Sequence, residues 1–313
     1  MKRFIVISVI VLLVIAAADQ LVGRALRHAY SHVRYDEIGK LNYIADSART
    51  SVIIIGSSRA LHHYVPSIIT DSTGLSCYNC GIEAGNIYLD YALLRTVLQR
   101  YKPHVIIYEF HYGYDAMRYD APNPSINKVR PLWQLKCRDS LLCDIDPMER
   151  VHMLSAIYPY NSLLADIVLA SNRHNSPYNN ALADHGYVPQ FHVIKRHHES
   201  YATYTRALSG KKLGYLKKLA AECGSRLIVA TSPYYEPQPD MRAVHQPVVD
   251  LFARYHVQFI YLAQDSALVG KPIYWDDAGH LNDRGARVFT SQMIHLAKQA
   301  RPQLFIDNKK TKK

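Results

Sequence analysis

The stretch Ser51-Val52-Ile53-Ile54-Ile55-Gly56-Ser57-Ser58-Arg59 carries the decision about fold. Val52 to Ile55 are β-branched without polar alternation. A strand from Ser51 to Ile55 is therefore buried on both faces, as in parallel sheets covered by helices on two sides. Gly56 permits a tight turn after it, and the serines beside that glycine project into the cleft at the strand's end. Working outward, the same rhythm recurs. A short helix starts near Pro66, where a missing N–H costs nothing, and stops at Gly74. Leu75 to Asn79 reads as a second strand. Ile87, Tyr91, Leu94, Leu98 and Tyr101 then make one apolar helix face, closed by Lys102-Pro103. His104 to Phe110 is a third strand.

The rhythm breaks over residues 111 to about 200, which are rich in Tyr, His, Asn and Pro, with one helical patch near Met148 to Ala170. We read this as an insertion over the ligand-binding end of the sheet, a lid or substrate platform. A helix at about 202–223, a strand Arg226 to Thr231, a helix at about 241–255, a strand Val257 to Leu262 and a helix from Asn282 to Ala300 follow. The expectation is α/β: a three-layer, flavodoxin-like sandwich on a five-stranded parallel sheet.

Composition narrows the class. The chain has 313 residues, 49% hydrophobic and 20% charged, enough for one large core with a modest insertion. A mean hydropathy of −0.14 excludes a multi-span membrane protein. The net charge is 37 − 26 = +11, but Lys2, Arg3, Lys309, Lys310, Lys312 and Lys313 lie at the two ends. The body is only mildly basic and shows no clustered stripe, so no nucleic-acid partner is expected. Five cysteines, Cys77, Cys80, Cys137, Cys143 and Cys223, are too scattered for a disulfide scaffold, although Cys137 and Cys143 are a candidate pair. Cys77 and Cys80 straddle a strand end rather than open a helix, so their CxxC spacing is not read as a redox site. The 24 tyrosines suit a wet, amphipathic cleft or ordinary half-buried packing.

Lys2-Arg3 precede an apolar run from Phe4 to Ala18 that Asp19 ends. Fifteen residues are short for a spanning helix, and Ala16-Ala17-Ala18 has the small residues of a cleavage site. Leu21 and Val22 extend the run, and we favour an uncleaved anchor. Residues 1–25 are thus an anchor or signal segment, residues 26–313 the α/β domain, and that domain is exported.

Ligands of open α/β sheets bind beyond the carboxyl ends of the strands. Three loops stand there: Gly56-Ser57-Ser58-Arg59, Asn79-Cys80-Gly81-Ile82-Glu83-Ala84-Gly85-Asn86, and Trp275-Asp276-Asp277-Ala278-Gly279-His280-Leu281-Asn282. A serine nucleophile needs a base, and the base needs an orienting carboxylate. Asp277 and His280 suit those roles, and the spacing favours Asp277 over Asp276. The spacing alone is uninformative: with 26 acids and 16 histidines in 313 residues, about one acid-x-x-His is expected by chance. The chain holds a second, Glu149/His152, which lies in the insertion rather than at a strand end. The adjacent pairs His62-His63 and His197-His198 do not converge on one ion, and no metal is expected. Arg59 is either a substrate-facing cation or half of a structural ion pair.

Together the three loops resemble the SGNH (GDSL-type) hydrolase superfamily, over roughly residues 50–110 and 200–300. The likeness places the nucleophile at Ser58, the oxyanion-hole glycine at Gly85 beside the N–H of Ser58, and the catalytic Asp-x-x-His at Asp277 and His280. Two departures stand out. Ser57 replaces the Asp of the first block, and Tyr108 to Asp115 offers no asparagine as oxyanion donor after the third strand; His111, Tyr112 or Asn123 are substitutes. The resemblance implies a cofactor-free serine esterase or O-acyltransferase working through an acyl-enzyme on Ser58. Membrane-anchored relatives of similar layout act on acetyl groups of envelope polysaccharides. That likeness implies a cell-envelope glycan or other acyl ester as substrate, a partner acyltransferase, and a single-pass protein of the bacterial inner membrane facing the periplasm. The alternative is a non-catalytic envelope protein that binds glycan or serves as a scaffold. A phosphate-binding flavodoxin-like protein is disfavoured, because the glycine patterns of phosphate loops are absent.

Overall fold

Five strands form one wholly parallel sheet in the order β2-β1-β3-β4-β5. They are β1 (Val52–Ile55), β2 (Cys77–Asn79), β3 (Val105–Glu109), β4 (Leu227–Thr231) and β5 (Gln258–Tyr261). The computed structural model describes residues 1–117, 126–132, 138–170, 185–195, 207–237 and 240–306. Each strand lies within the span expected from sequence, shorter by one or two residues in all. The order reverses direction at β1, with β2 on one side and β3 on the other, so β1 opens on the crevice of an open sheet.

Helices cover both faces. Ile53 and Ile55 of β1, Ile106 and Tyr108 of β3, and Leu227 and Val229 of β4 pack on one side against α2 (Asp36–Asp46), α5 (Ile87–Leu98), α6 (Gly210–Cys223) and α7 (Met241–Ala253). Val52, Ile54, Val105, Ile107, Ile228 and Ala230 pack on the other against α3 (Ser58–His63), α4 (Pro66–Thr73) and α8 (Asp283–Ala300). Alternate side chains thus enter two cores, which is why the strands read as unbroken apolar runs. α4 begins at Pro66 and ends at Gly74 in the left-handed conformation, φ 71°. Asn86 caps α5 by accepting from Tyr88 N and Leu89 N. α6 starts at Gly210, later than expected; positions 202–206 lie outside the described residues.

α1 runs unbroken from Lys2 to His32, through Ala16–Ala18 and Asp19. It is long and apolar enough to cross a membrane. The helical patch expected near 148–170 resolves into a turn of helix at Glu149–His152, a 3₁₀ stretch at Tyr158–Leu163 and a helix at Leu164–Ala170. Much of the tyrosine is core: Tyr30, Tyr64, Tyr78, Tyr108, Tyr112 and Tyr160 are almost fully buried. Cys77, Cys80 and Cys223 are buried free thiols and Cys143 is free, while Cys137 lies outside the described residues. Burial pushes the Cys80 thiol up to about 12, so the CxxC pair holds no ready thiolate.

Candidate active site

Gly56 leaves β1 with φ +143°, and a Cβ there would stand 2.9 Å from the carbonyl oxygen of Glu109 on the neighbouring strand. Only glycine makes this turn. The turn places Ser58 as the first residue of α3, above the carboxyl ends of β1 and β3, with an N–H that the helix itself leaves unsatisfied. Across the crevice, the loop before α8 brings His280 to Ser58, with Nε2 2.8 Å from Ser58 Oγ. The other ring nitrogen, Nδ1, lies 3.0 Å from both carboxylate oxygens of Asp277. Asp277 Oδ1 also accepts from Gly279 N at 2.7 Å and His280 N at 2.8 Å, an Asx turn that fixes the carboxylate against the imidazole. Burial pushes the Asp277 carboxyl up, but the hydrogen bond and charge of His280 and the two backbone donors outweigh it and hold it below the ordinary range. Nδ1–H on Asp277 leaves Nε2 as the acceptor for the Ser58 hydroxyl proton. Asp276 faces elsewhere, accepting from His192 N at 2.9 Å. Glu149, of the second acid-x-x-His pair, is bound to Arg130 and Tyr158 inside the insertion.

Gly85 packs against this turn: a Cβ on it would lie 3.1 Å from Ser57 Cα and 3.3 Å from Asp90 Oδ1. Its N–H, however, donates to Ile82 O at 3.1 Å and is turned into its own loop. Position and orientation thus part company at this residue, because the turn that brings Gly85 close also consumes its donor. Of the substitutes for the missing asparagine, Tyr112 is core, stacked on His245. His111 Nδ1 accepts from Tyr114 N at 3.2 Å, which places its proton on Nε2. Burial first, then the charges of Arg59, His245 and His280, hold His111 neutral. Asn123 lies outside the described residues, as do His197 and His198.

Beneath the Ser58–His280 contact lies a buried polar network. Arg59, almost fully buried, donates from Nε to Ser232 Oγ at 3.0 Å and from Nη2 to the carbonyl oxygens of Ser232 and Pro233. Its guanidinium lies 4.0 Å over the Tyr234 ring and 3.3 Å from Glu109 Oε1. Of its two sequence readings, the structural ion pair is the one formed. Glu109, at the end of β3, also accepts from Tyr64 Oη at 2.5 Å and Ser232 Oγ at 2.6 Å. His63 Nε2 accepts from Leu281 N at 3.0 Å, so its Nδ1 donates to Ser232 Oγ at 2.8 Å. Burial and the nearby Arg59 charge hold His63 well below its ordinary pKa, and it stays neutral. Neighbouring His62 faces two acceptors, Val188 O and Glu83 Oε1, each at 2.7 Å. Asn79 donates to Ala60 O and Tyr64 O and accepts from Gly81 N, tying the second loop to α3. Glu109 and Ser232 stand at strand ends, but no short motif around either marks it in the sequence as a site residue.

No protein-family model matches this chain, and no curated protein does. Among solved structures it is similar to one described as "a putative platelet activating factor from Streptococcus pneumonia". Identity is 14%, the match covers 93% of this chain and 99% of that one, and the TM-score is 0.38. A likeness so slight supports neither a shared fold nor a shared activity.

Proposed function

We propose that the chain is an SGNH-type serine esterase or O-acyltransferase acting on acyl esters, acetyl in our reading, of a cell-envelope glycan. It acts from a single-pass anchor in the bacterial inner membrane, with the catalytic domain on the periplasmic side. The observation that carries this is the continuous chain Ser58 Oγ–His280–Asp277, at 2.8 Å and 3.0 Å, above the carboxyl ends of a parallel sheet. His280 Nε2 takes the hydroxyl proton as Ser58 Oγ attacks the ester carbonyl, and the N–H of Ser58 meets the developing oxyanion. His280 then returns the proton to the leaving sugar oxygen, and the acyl group remains on Ser58. Water or a second sugar hydroxyl, deprotonated by His280, attacks the acyl-enzyme and frees Ser58. The two acceptors define esterase and transferase, and one site serves both.

The Gly85 hydrogen bond to Ile82 favours a second reading, a non-catalytic glycan-binding or scaffold protein, since it leaves one oxyanion donor engaged. Removing one such donor costs about 100- to 1,000-fold in turnover. A fluorophosphonate probe separates the readings. As an enzyme, the folded protein is labelled and Ser58→Ala abolishes the labelling. As a scaffold, the folded protein takes no label at any position.

A further inference from the structure

We propose that the segment Met148–Ile157 is a second membrane-contacting element that rests in the same bilayer face from which α1 emerges. The inference rests on α1 spanning the membrane and is independent of the enzymatic reading. Met148, Val151 and Leu154 are 52%, 53% and 76% exposed and follow one another at three-residue spacing. The acidic residue among them points the other way: Glu149 is buried and held by Arg130 at 2.5 Å and Tyr158 at 2.9 Å, while the basic Arg150 and His152 are exposed beside the apolar three. This segment turns three apolar side chains and two basic ones outward and its carboxylate inward, the mixture that suits a bilayer interface, where basic side chains reach the phosphates and apolar ones the acyl chains.

The contact with α1 says what covers that apolar side. The side chains of α1 are exposed and apolar from Phe4 to Val22, apart from Ser8, Asp19 and Gln20. At 1.5 Å per residue that stretch is about 28 Å long, close to the roughly 30 Å of a bilayer's hydrocarbon. Asp19 therefore sits about one helical turn inside the boundary, where an unsolvated carboxylate is costly. Ser155 Oγ at 2.5 Å and Ala156 N at 2.7 Å donate to it and replace the missing water. One turn on, Gly23 lets the strap close: a Cβ there would lie 2.3 Å from Ala156 Cβ. Leu154, next to Ser155, is thus held at the depth of the bilayer surface. Exposed Arg24 and Arg150 flank the contact, at the level of lipid phosphates. Farther along α1, Leu26 and Tyr30 pack on Tyr160, Leu163 and Ile167. That places the helix bearing the 69% exposed Val168 about 16 Å beyond Asp19, in water.

The test uses the full chain in liposomes containing phospholipids brominated near the headgroup, and in a parallel set brominated near the acyl-chain terminus for the residue at mid-bilayer depth, with three separate variants. Leu12→Trp reports on α1, Leu154→Trp on the strap and Val168→Trp on the helix above it, against the background of Trp133 and Trp275 in the unsubstituted chain. We expect Leu154→Trp fluorescence to be quenched, at the depth of roughly 5–10 Å that interfacial apolar side chains reach, at least about twofold more than Val168→Trp. Quenching of Leu12→Trp by the deep bromines with none of Leu154→Trp by the headgroup bromines, or with equal headgroup quenching at 154 and 168, overturns the proposal while leaving the anchor intact. No quenching at Leu12→Trp by either bromine depth overturns the anchor reading itself.

Discussion

At the scale of single residues, Ser58, Asp277 and His280 were legible because each sits in a short local block whose place after a strand could be read. Their mutual distance was not legible, and neither was what holds it. His63 lies five residues from Ser58, yet its partners are Ser232 and Leu281, 169 and 218 positions away. No local pattern announces a contact of that separation. The hydrogen bond from Leu281 N to His63 Nε2 ties the first block directly to the residue after His280. His63→Phe keeps the ring beside Phe289 but removes the acceptor and strands the buried N–H. We expect fluorophosphonate labelling to slow by roughly ten- to a hundredfold, because small misplacements of a base weaken proton transfer steeply. His63→Gln, whose side-chain oxygen can accept from Leu281, should recover part of the rate. Near-UV circular dichroism checks that both variants are folded. Equal rates in all three proteins would show that His63 only packs.

At the scale of elements, the strands and the amphipathic helices announced themselves through periodicity, down to the Pro66 start and Gly74 stop of α4. α2 did not, since only its inward stripe is apolar and one buried residue on it is a lysine. Lys40 is fully buried, and its Nζ donates to Gly81 O and Gly186 O, each at 2.7 Å. It clamps the second site loop and the distant stretch 185–195 onto α2. Burial pulls the Lys40 pKa from 10.5 down to about 7, and a neutral amine still has two N–H groups for two carbonyls. Between pH 7 and about 10 the unfolded chain therefore holds a proton that the folded chain has released. Stability from this group rises with pH across that window and is lost as pH falls toward 7. Denaturant unfolding at pH 7, 8 and 9 should show that rise in the native protein. In Lys40→Met the slope should flatten, with a loss of about 1–3 kcal/mol from the two stranded carbonyls at the upper end. An unchanged slope would place the proton elsewhere.

At the scale of the whole molecule, the fold keeps a second pair of ionisable groups out of water directly behind the candidate site. Asp90 of α5 and Asp115, just after β3, are both about 1% exposed, and among the described residues neither oxygen of Asp90 meets a hydrogen-bond donor. Sequence gave no sign of this, because Asp90 reads as an ordinary first-turn acid of an amphipathic helix. Its burial depends on residues far along the chain, since Asp115 lies beside it. Burial pushes both carboxyls up, and the charge of Asp115 pushes Asp90 further. A raised native pKa means that the folded state holds protons the unfolded chain has already lost. Stability from the pair is therefore present below the ordinary aspartate pKa of 3.8 and falls as pH rises from there through the native values. Asp90→Asn removes one titrating group and the repulsion on the other. We expect the variant to be more stable than the native chain at pH 8, by about 1 kcal/mol or more, and the difference to vanish near pH 4. Urea unfolding at the two values measures it. A variant that is less stable at pH 8 would mean that the Asp90 carboxylate is compensated in the fold, for instance by a bound cation or an ordered water chain, and that its charge supports the site rather than strains it.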